Sequence, residues 1–132
     1  MIYLDTSAAV KTLFAEADSE SIRALFADEQ PFVSSRVFEL EVHSAAARRG
    51  VAEERAAELV RKVTLVAVDD AVVDAALAAG SALRTLDALH LATALQLGGV
   101  VETMLSFDKE LLEQAQARGI PPHPLAGSGW AA

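Results

Sequence analysis

The chain begins with Met1-Ile2-Tyr3-Leu4-Asp5-Thr6-Ser7, a short apolar run that ends at an acidic residue and two hydroxyl-bearing residues. Such a run is typical of a short buried strand, and Thr6 or Ser7 is suited to cap a helix that follows it. Similar strand candidates recur along the chain at residues 32–34, 63–68 and 100–105. Because helical stretches separate these strands, the connections are crossovers and the sequence predicts a parallel sheet.

We therefore predict a single α/β domain with a parallel central sheet of four to five short strands and helices on both faces. The predicted helices cover residues 8–14, 18–27, 35–49, 53–62, 69–82, 85–97 and 109–118. Residues 63–68 alternate too little for a half-exposed strand, which predicts burial on both faces, and Ile120 is the candidate start of a fifth strand. We expect the domain to span residues 1–126, and residues 127–132, which include Trp130, to form a short flexible tail.

The composition is that of a globular protein. The 132 residues are 52% hydrophobic and 23% charged, which is enough apolar material for one domain with a core. No apolar stretch is long enough to span a membrane, and the N-terminus lacks the pattern of a secretory signal. The absence of cysteine excludes disulfides and thiolate-bound zinc. We expect a cytoplasmic protein without membrane attachment.

The charge of the chain is strongly acidic, with a formal net charge of −8. On its own this charge argues against a nucleic-acid-binding protein, which usually presents a basic face. The objection weakens if several acids surround metal ions, because two divalent cations would halve that charge. Net charge also does not report how the arginines are distributed.

Four acidic residues stand in apolar surroundings, where an isolated carboxylate is costly to desolvate: Asp5, Glu41, Asp87 and Asp108. Asp5 and Asp108 each follow a predicted strand, and the carboxyl ends of parallel strands share the edge where ligands bind. Asp108 is also well placed to cap the helix that begins at Lys109, so its position alone does not decide its role. Together, the four acids predict a shared cation site.

The helix predicted at residues 35–49 carries two candidate acids, Glu39 and Glu41. Glu41 shares a helical face with Val37, Leu40, Ser44 and Ala45. Glu39 lies on a more polar stripe with His43 four residues later, a spacing that can bind a metal but is more common in exposed side-chain pairs. We assign Glu41 as the inward-facing acid, with Glu39 as the alternative.

Asp87 lies in the first turn of a helix that is otherwise rich in leucine and alanine. An acid at this position also stabilises the helix dipole, by about 0.3–1 kcal/mol, and Arg84 is a candidate ion-pair partner. His90 follows three residues later. We predict that His90 is a core histidine bonded to the backbone rather than a metal ligand.

Clustered carboxylates without cysteine favour Mg²⁺ or Mn²⁺ over zinc or copper. Such ions lower the pKa of a bound water and stabilise the leaving oxygen, which suits phosphodiester hydrolysis. Thr6 and Ser106 are candidates to hold waters beside the carboxylates. Six basic residues are candidates for phosphate contacts, with ordinary surface solubility as the alternative for each: Arg84, Lys11 and Arg36 foremost, then Arg48, Arg49 and Lys109.

These segments together resemble the PIN-domain ribonucleases, and most closely the VapC-like toxins of prokaryotic toxin–antitoxin pairs. The matching segments are Tyr3-Leu4-Asp5-Thr6-Ser7, Ser34-Ser35 followed by Glu41, residues 83–94, and Leu105-Ser106-Phe107-Asp108 with Gly119 after its helix. The resemblance extends from Met1 to about Leu125 and is most specific around Asp87.

The resemblance implies a PIN-like nuclease domain whose acidic site is Asp5, Glu41, Asp87 and Asp108, with Thr6 or Ser106 as polar support. It implies an endoribonuclease that depends on Mg²⁺ or Mn²⁺ and leaves a 5′-phosphate and a 3′-hydroxyl on its RNA. It also implies a homodimer and a cognate VapB-like antitoxin whose C-terminal segment blocks the site.

Two other functions remain open at this point. Phosphoryl transfer through an aspartyl-phosphate on Asp5 would need a second acid two residues later, where the chain has Ser7. A PIN-like module that binds RNA or protein without cutting is the stronger alternative, although all four acids are present. The sequence does not identify which RNA is bound or cut.

Overall fold

The computed structural model describes residues 1–127. Four strands form one sheet: β1 (Ile2–Leu4), β2 (Phe32–Ser35), β3 (Val63–Val66) and β4 (Thr103–Leu105). Seven α-helices surround it: α1 (Thr6–Ala9), α2 (Ser19–Ala27), α3 (Val37–Arg48), α4 (Glu53–Arg61), α5 (Asp70–Ala79), α6 (Thr85–Leu97) and α7 (Lys109–Ala117). Short 3-10 turns follow α1 at Val10–Thr12 and α6 at Gly98–Val100.

The sheet is parallel throughout and has the strand order β3-β2-β1-β4. From the central strand β1 the chain moves outward through β2 to β3, and then returns across the sheet to place β4 on the other side of β1. Open parallel sheets bind ligands where the strand order reverses in this way, at the carboxyl ends of the strands. The topology therefore directs attention to the residues that follow β1 and β4.

Side chains of the strands alternate between two hydrophobic layers. In β1, Ile2 and Leu4 join a core formed with α1 to α4, whereas Tyr3 points into a second core formed with α6 and α7. In β4, Leu105 contributes to the first core and Met104 to the second. This two-layer packing confirms the predicted α/β fold with helices on both faces of the sheet.

The expectation that residues 63–68 are buried on both faces was wrong. The strand β3 ends at Val66, Thr64 is exposed, and Leu65 and Val66 are only half-buried. The reason is the position of β3 at the outer edge of the sheet, where one side has no neighbouring strand. The candidate fifth strand is a single bridge between Met104 and Pro122.

Several predicted boundaries also shifted. The first helix is shorter than expected, because α1 ends at Ala9 and tightens into a 3-10 turn. Neither Thr6 nor Ser7 caps it; Asp5 occupies the N-cap position and makes no side-chain capping bond. Thr85 likewise begins α6 without capping it. The strand β4 starts at Thr103, the partner of Ile2 at the start of β1, because Val100 belongs to the 3-10 turn.

The described chain ends against the loop that follows β4. The backbone N–H of Gly127 donates to the carbonyl of Ser106 at 3.0 Å. The predicted tail beyond Gly127, including Trp130, lies outside the described residues, and the division at residue 126 stays a prediction. Within residues 1–127, none of the helices combines the length and the apolar character that crossing a bilayer requires.

Candidate active site

A cleft of about 450 Å³ opens at the carboxyl ends of β1 and β4. Its lining residues are Asp5, Thr6, Ser7, Val10, Leu40, Glu41, Ser44, Ala45, Arg48, Leu86, Asp87 and Asp108. All four acids singled out from the sequence therefore line one cleft, although they come from four separate segments of the chain. Glu39 and His43 line a different hollow beside α3, where Glu39 accepts a hydrogen bond from Arg36 at 2.6 Å.

The Asp5 side chain is buried, with 4% of its surface exposed, and is fixed by two hydroxyl groups. Its Oδ2 accepts hydrogen bonds from Ser7 Oγ at 2.6 Å and from Ser106 Oγ at 2.8 Å. These same hydroxyls accept backbone N–H bonds from Phe107 and Asp108, at 2.8 and 2.9 Å. Asp5 is thus joined to the loop after β4, which holds the two strand ends at a fixed spacing.

Ser7 was missed as a functional residue because its position beside Thr6 suggested a helix cap. It contacts both Asp5 and the loop after β4, from which it is separated by about a hundred residues in sequence. Local sequence carries no signal for a contact at such a distance. Ser106 was expected to hold water, and in the structure it bonds the Asp5 carboxylate directly.

The face of α3 that carries Glu41 lines the cleft and does not enter the core. The buried residues of α3 are Phe38, Val42 and Ala46, whereas Leu40 is 66% exposed. The face that Glu41 shares with Leu40 therefore lies outside the core, and Glu41 points into the cleft. Thr6 Oγ1 donates to Glu41 Oε1 at 2.9 Å, so Thr6 supports a carboxylate as well as lining the cleft.

His90 is fully buried and bonds to side chains, so the expected bond to the backbone was wrong. Its Nε2 lies 2.6 Å from Glu41 Oε1 and 3.6 Å from Asp5 Oδ1, and its Nδ1 lies 2.8 Å from the Tyr3 hydroxyl. The backbone N–H of Ser35 donates to the Tyr3 oxygen at 3.1 Å. Because the Glu41 carboxylate can only accept, His90 Nε2 carries the N–H that donates to Glu41.

This buried relay changes the ionisation of Glu41. Burial raises the pKa of Glu41, but the hydrogen bond and charge of His90 and the hydroxyl of Thr6 lower it by more, so the net pKa lies below its usual range. The pKa of His90 is raised: burial lowers it, and Glu41, Asp5 and Asp87 outweigh that effect. Glu41 therefore remains a carboxylate across the physiological pH range.

Asp87 is in the opposite situation. Burial, followed by repulsion from Asp108, Asp5 and Glu41, raises its pKa to about 6, although His90 opposes the shift. Within residues 1–127, no ion pair joins Asp87 to Arg84. The other carboxylates of the cleft therefore disfavour the negative charge of Asp87, and a bound cation would relieve that repulsion.

Asp108 combines the two roles that its sequence position left open. Its Oδ1 accepts the backbone N–H of Leu111 at 3.1 Å and so caps α7. The same side chain lines the cleft, and its charge raises the pKa of Asp87 more than any other neighbouring charge does. A carboxylate has two oxygens, so capping with one leaves the other for a ligand.

The chemistry of the cleft fits a hard divalent cation, although the carboxylates are not yet gathered around one point. Among residues 1–127, no set of three acidic or histidine side chains is arranged to hold a metal ion as it stands. Protein donors bond one oxygen each of Asp5, Glu41 and Asp108, which leaves the second oxygen of each carboxylate for a ligand. Mg²⁺ typically takes one or two carboxylates directly and keeps several waters, so this donor set suits it.

The three basic residues favoured from the sequence do not line the cleft. Arg36 pairs with Glu39, Lys11 lies 3.8 Å from Glu16 and over the ring of Phe107, and Arg84 precedes α6. Within the described chain, Arg48 of α3 is the one basic residue that lines the cleft.

Comparison with known proteins identifies the family. A model of the PIN domain family matches residues 2–117. This chain belongs to the PIN domain family. The predicted membership is confirmed, and two curated relatives match the chain over about nine-tenths of its length. Ribonuclease VapC46 of Mycobacterium tuberculosis is 36% identical over 123 residues, covering 90% of this chain and 93% of that protein. Ribonuclease VapC47 of the same species is 30% identical over 126 residues, covering 90% and 93%.

Solved structures share the PIN fold at lower sequence identity. Mycobacterium tuberculosis VapC20, described as a toxin that cleaves the sarcin-ricin loop, superposes with a TM-score of 0.70 at 20% identity, covering 91% of this chain and 96% of that one. A toxin–antitoxin complex from Klebsiella pneumoniae gives a TM-score of 0.67 at 18% identity, covering 83% and 88%. At these identities the likeness shows the fold, which agrees with the predicted α/β architecture.

Proposed function

We propose that this PIN-domain chain is a metal-dependent endoribonuclease that acts as the toxin of a toxin–antitoxin pair in the cytoplasm. The observation that carries the proposal is the convergence of four carboxylates in one cleft at the point where the strand order reverses. Similarity to proteins named Ribonuclease VapC over about nine-tenths of the chain supports RNA as the substrate.

In this proposal Asp5, Glu41, Asp87 and Asp108 hold one or two Mg²⁺ or Mn²⁺ ions. A bound ion of this kind supplies an activated water and stabilises charge on the leaving oxygen. Ser7 and Ser106 orient Asp5, and His90 and Thr6 orient Glu41, so both carboxylates are held in place before an ion binds. Hydrolysis joins the water oxygen to phosphorus and breaks the bond to the 3′-oxygen, which leaves a 5′-phosphate and a 3′-hydroxyl.

The apolar rim of the cleft supports an antitoxin partner. Leu40 and Leu86, which are 66% and 42% exposed, and the half-buried Val10 line the cleft together with the acids. A peptide segment with apolar side chains and one basic side chain would match this surface and neutralise the carboxylates. We therefore propose a VapB-like antitoxin that inhibits by occupying the cleft.

The surface of α5 supports a homodimer. The sequence of α5 is almost entirely apolar, yet Val72 is its one buried residue, and Val73 and Leu77 are 42% and 76% exposed. The helix packs mainly against α6, which leaves its other face uncovered within the described chain. A second copy would bury this face, as apolar residues of this kind favour self-association.

Leu77→Lys is expected to convert the dimer into a monomer, because it places a charge where the proposed interface would bury a leucine. Val100→Lys is the matched control, since Val100 is 50% exposed but lies in the turn after α6. Sedimentation velocity at micromolar concentration measures both variants. A monomeric wild-type protein, or a Leu77→Lys variant that sediments as a dimer, would contradict the proposed interface.

Chelation of metal is expected to abolish RNA cleavage. Antitoxin-free protein is incubated with total cellular RNA in Mn²⁺ and in EDTA, and the cut ends are sequenced. We expect defined cuts with 5′-phosphates in Mn²⁺ and none in EDTA, because the carboxylates alone provide no activated water. Cuts that persist in EDTA would exclude the metal mechanism, and no cuts by folded, metal-binding protein would favour the non-catalytic binding module.

A further inference from the structure

Arg48 differs from the other basic residues near the cleft. It stands about two helical turns after Glu41, so positions 41, 44, 45 and 48 form a single stripe of α3 that lines the cleft. Within residues 1–127, its guanidinium takes part in no ion pair and no hydrogen bond. An exposed, unengaged guanidinium therefore borders four carboxylates.

Three of the neighbouring cations already have partners, and Arg84, which has none within the described residues, does not line the cleft. Arg49, the next residue, lies 3.3 Å from Glu16 Oε2 and its guanidinium carbon lies 3.6 Å from the centre of the Phe14 ring. Arg36 pairs with Glu39 at 2.6 Å, and Lys11 lies 3.8 Å from Glu16. Each of these side chains would have to give up a protein contact to bind an anion, whereas Arg48 would not.

The acidic cleft gives a reason for such a residue. A phosphodiester that approaches four carboxylates is repelled until cations neutralise them, and a fixed positive charge reduces that repulsion at the rim. A guanidinium also matches the geometry of a phosphate with two parallel N–H bonds. The position of Arg48 in the last turn of α3 also stabilises the helix carbonyls, but that role does not require the side chain to face the cleft.

We propose that Arg48 is a substrate-binding residue that holds an RNA phosphate at the rim of the cleft, next to the phosphate that is cut. This inference rests on the proposed ribonuclease function and assigns to Arg48 the role for which Lys11, Arg36 and Arg84 were the first candidates. Contacts of this kind position the nucleic acid and carry no base specificity. Arg48 therefore contributes to binding of any single-stranded RNA.

The test compares Arg48→Gln with Arg49→Gln, which removes the same charge from the adjacent position. Binding of a fluorescent oligouridylate is measured with the four acids intact and Ca²⁺ in place of Mn²⁺, since Ca²⁺ also takes oxygen ligands, and the length of the oligouridylate is checked after each titration to show that it was not cut. We expect Arg48→Gln to weaken binding about tenfold and to reduce the slope of log Kd against log salt by about 0.7, the value for one phosphate contact on a single strand. Arg49→Gln should leave the slope unchanged.

Cleavage kinetics provide the second readout, on an RNA that carries a mapped cut. Arg48→Gln is expected to raise KM with little change in kcat, and Arg48→Lys to recover part of the loss. Equal slopes for Arg48→Gln and Arg49→Gln would overturn the inference while leaving the ribonuclease proposal intact. A reduced slope in a protein that cuts no RNA would uphold the phosphate contact and overturn the ribonuclease proposal.

Discussion

Asp87→Asn is expected to abolish RNA cleavage and, at neutral pH, to make the protein more stable. The loss of activity should be about 10³-fold or more, because a metal site that stabilises a developing charge contributes several kcal/mol to catalysis. The gain in stability follows from the cleft itself, where burial and the charges of Asp108, Asp5 and Glu41 raise the pKa of Asp87 to about 6. An amide at this position carries no charge to be repelled.

The pH dependence of this stability gain has a definite sign. The pKa of Asp87 is higher in the folded protein, about 6, than its ordinary value of 3.8. Above pH 6 the residue is ionised in both states and its charge destabilises the fold, whereas below pH 4 it is protonated in both. Because solvent screens the half-exposed carboxylate, we expect its charge to lower the free energy of unfolding by only about 1 kcal/mol, which corresponds to about 3–5 °C in Tm. The advantage of Asp87→Asn should shrink as the pH falls from 7 to 4.

Calorimetry of the wild type, Asp87→Asn and the exposed control Asp74→Asn, each with and without Mn²⁺, checks this prediction. Mn²⁺ should raise the Tm of the wild type by mass action and that of Asp87→Asn much less. The control should match the wild type in cleavage and in its response to Mn²⁺. Full cleavage activity in purified Asp87→Asn would exclude Asp87 from the site.

His90→Phe is expected to weaken Mn²⁺ binding about 10- to 100-fold, although His90 is not itself proposed as a ligand. Residues that orient a ligand through a hydrogen bond typically have effects of this size. The substitution removes the 2.6 Å bond to Glu41 and leaves the buried hydroxyl of Tyr3 without its histidine partner. Loss of those bonds should also reduce the free energy of unfolding by about 1–3 kcal/mol.

Two further variants separate positioning from stability. Tyr3→Phe keeps the His90 ring in place but removes the hydroxyl, so it should destabilise the protein with a smaller effect on Mn²⁺ affinity. Ser19→Ala removes a buried hydroxyl that bonds the Phe14 carbonyl at 2.8 Å, has no hydrogen bond to the residues that hold Glu41, and should affect stability alone. Isothermal titration with Mn²⁺ measures the affinities. Equal Mn²⁺ affinity in His90→Phe and Ser19→Ala would show that His90 is only a structural residue.

The sequence predicted those parts of the site that depend on local pattern. Asp5 and Asp108 were recognisable because each follows a short apolar strand, and parallel strands end at one edge. The face of Glu41 was recognisable from helical periodicity, but periodicity does not distinguish a face that lines a cleft from one that enters the core. Leu40, which is 66% exposed, shows the difference.

The remaining parts depend on contacts between distant segments. The Tyr3 hydroxyl meets His90 across 87 positions, and Ser106 meets Asp5 across 101. Nothing near any of these residues in sequence specifies its partner. The sequence also did not indicate which basic residue lines the cleft, because the pairing of Arg49 with Glu16 and the position of Arg48 at the cleft follow from the tertiary structure.

The pairing of β1 with β4 determines when the cleft can form during synthesis of the chain. The first strand to be synthesised is paired on one side by β4, which is the last. Asp5 reaches its final setting only when Ser106 arrives to bond it, and Asp108 follows two residues later. A growing chain that has not yet delivered β4 lacks both. The cleft therefore cannot assemble before β4 has been made, because Ser106 lies 101 positions after Asp5 in the chain.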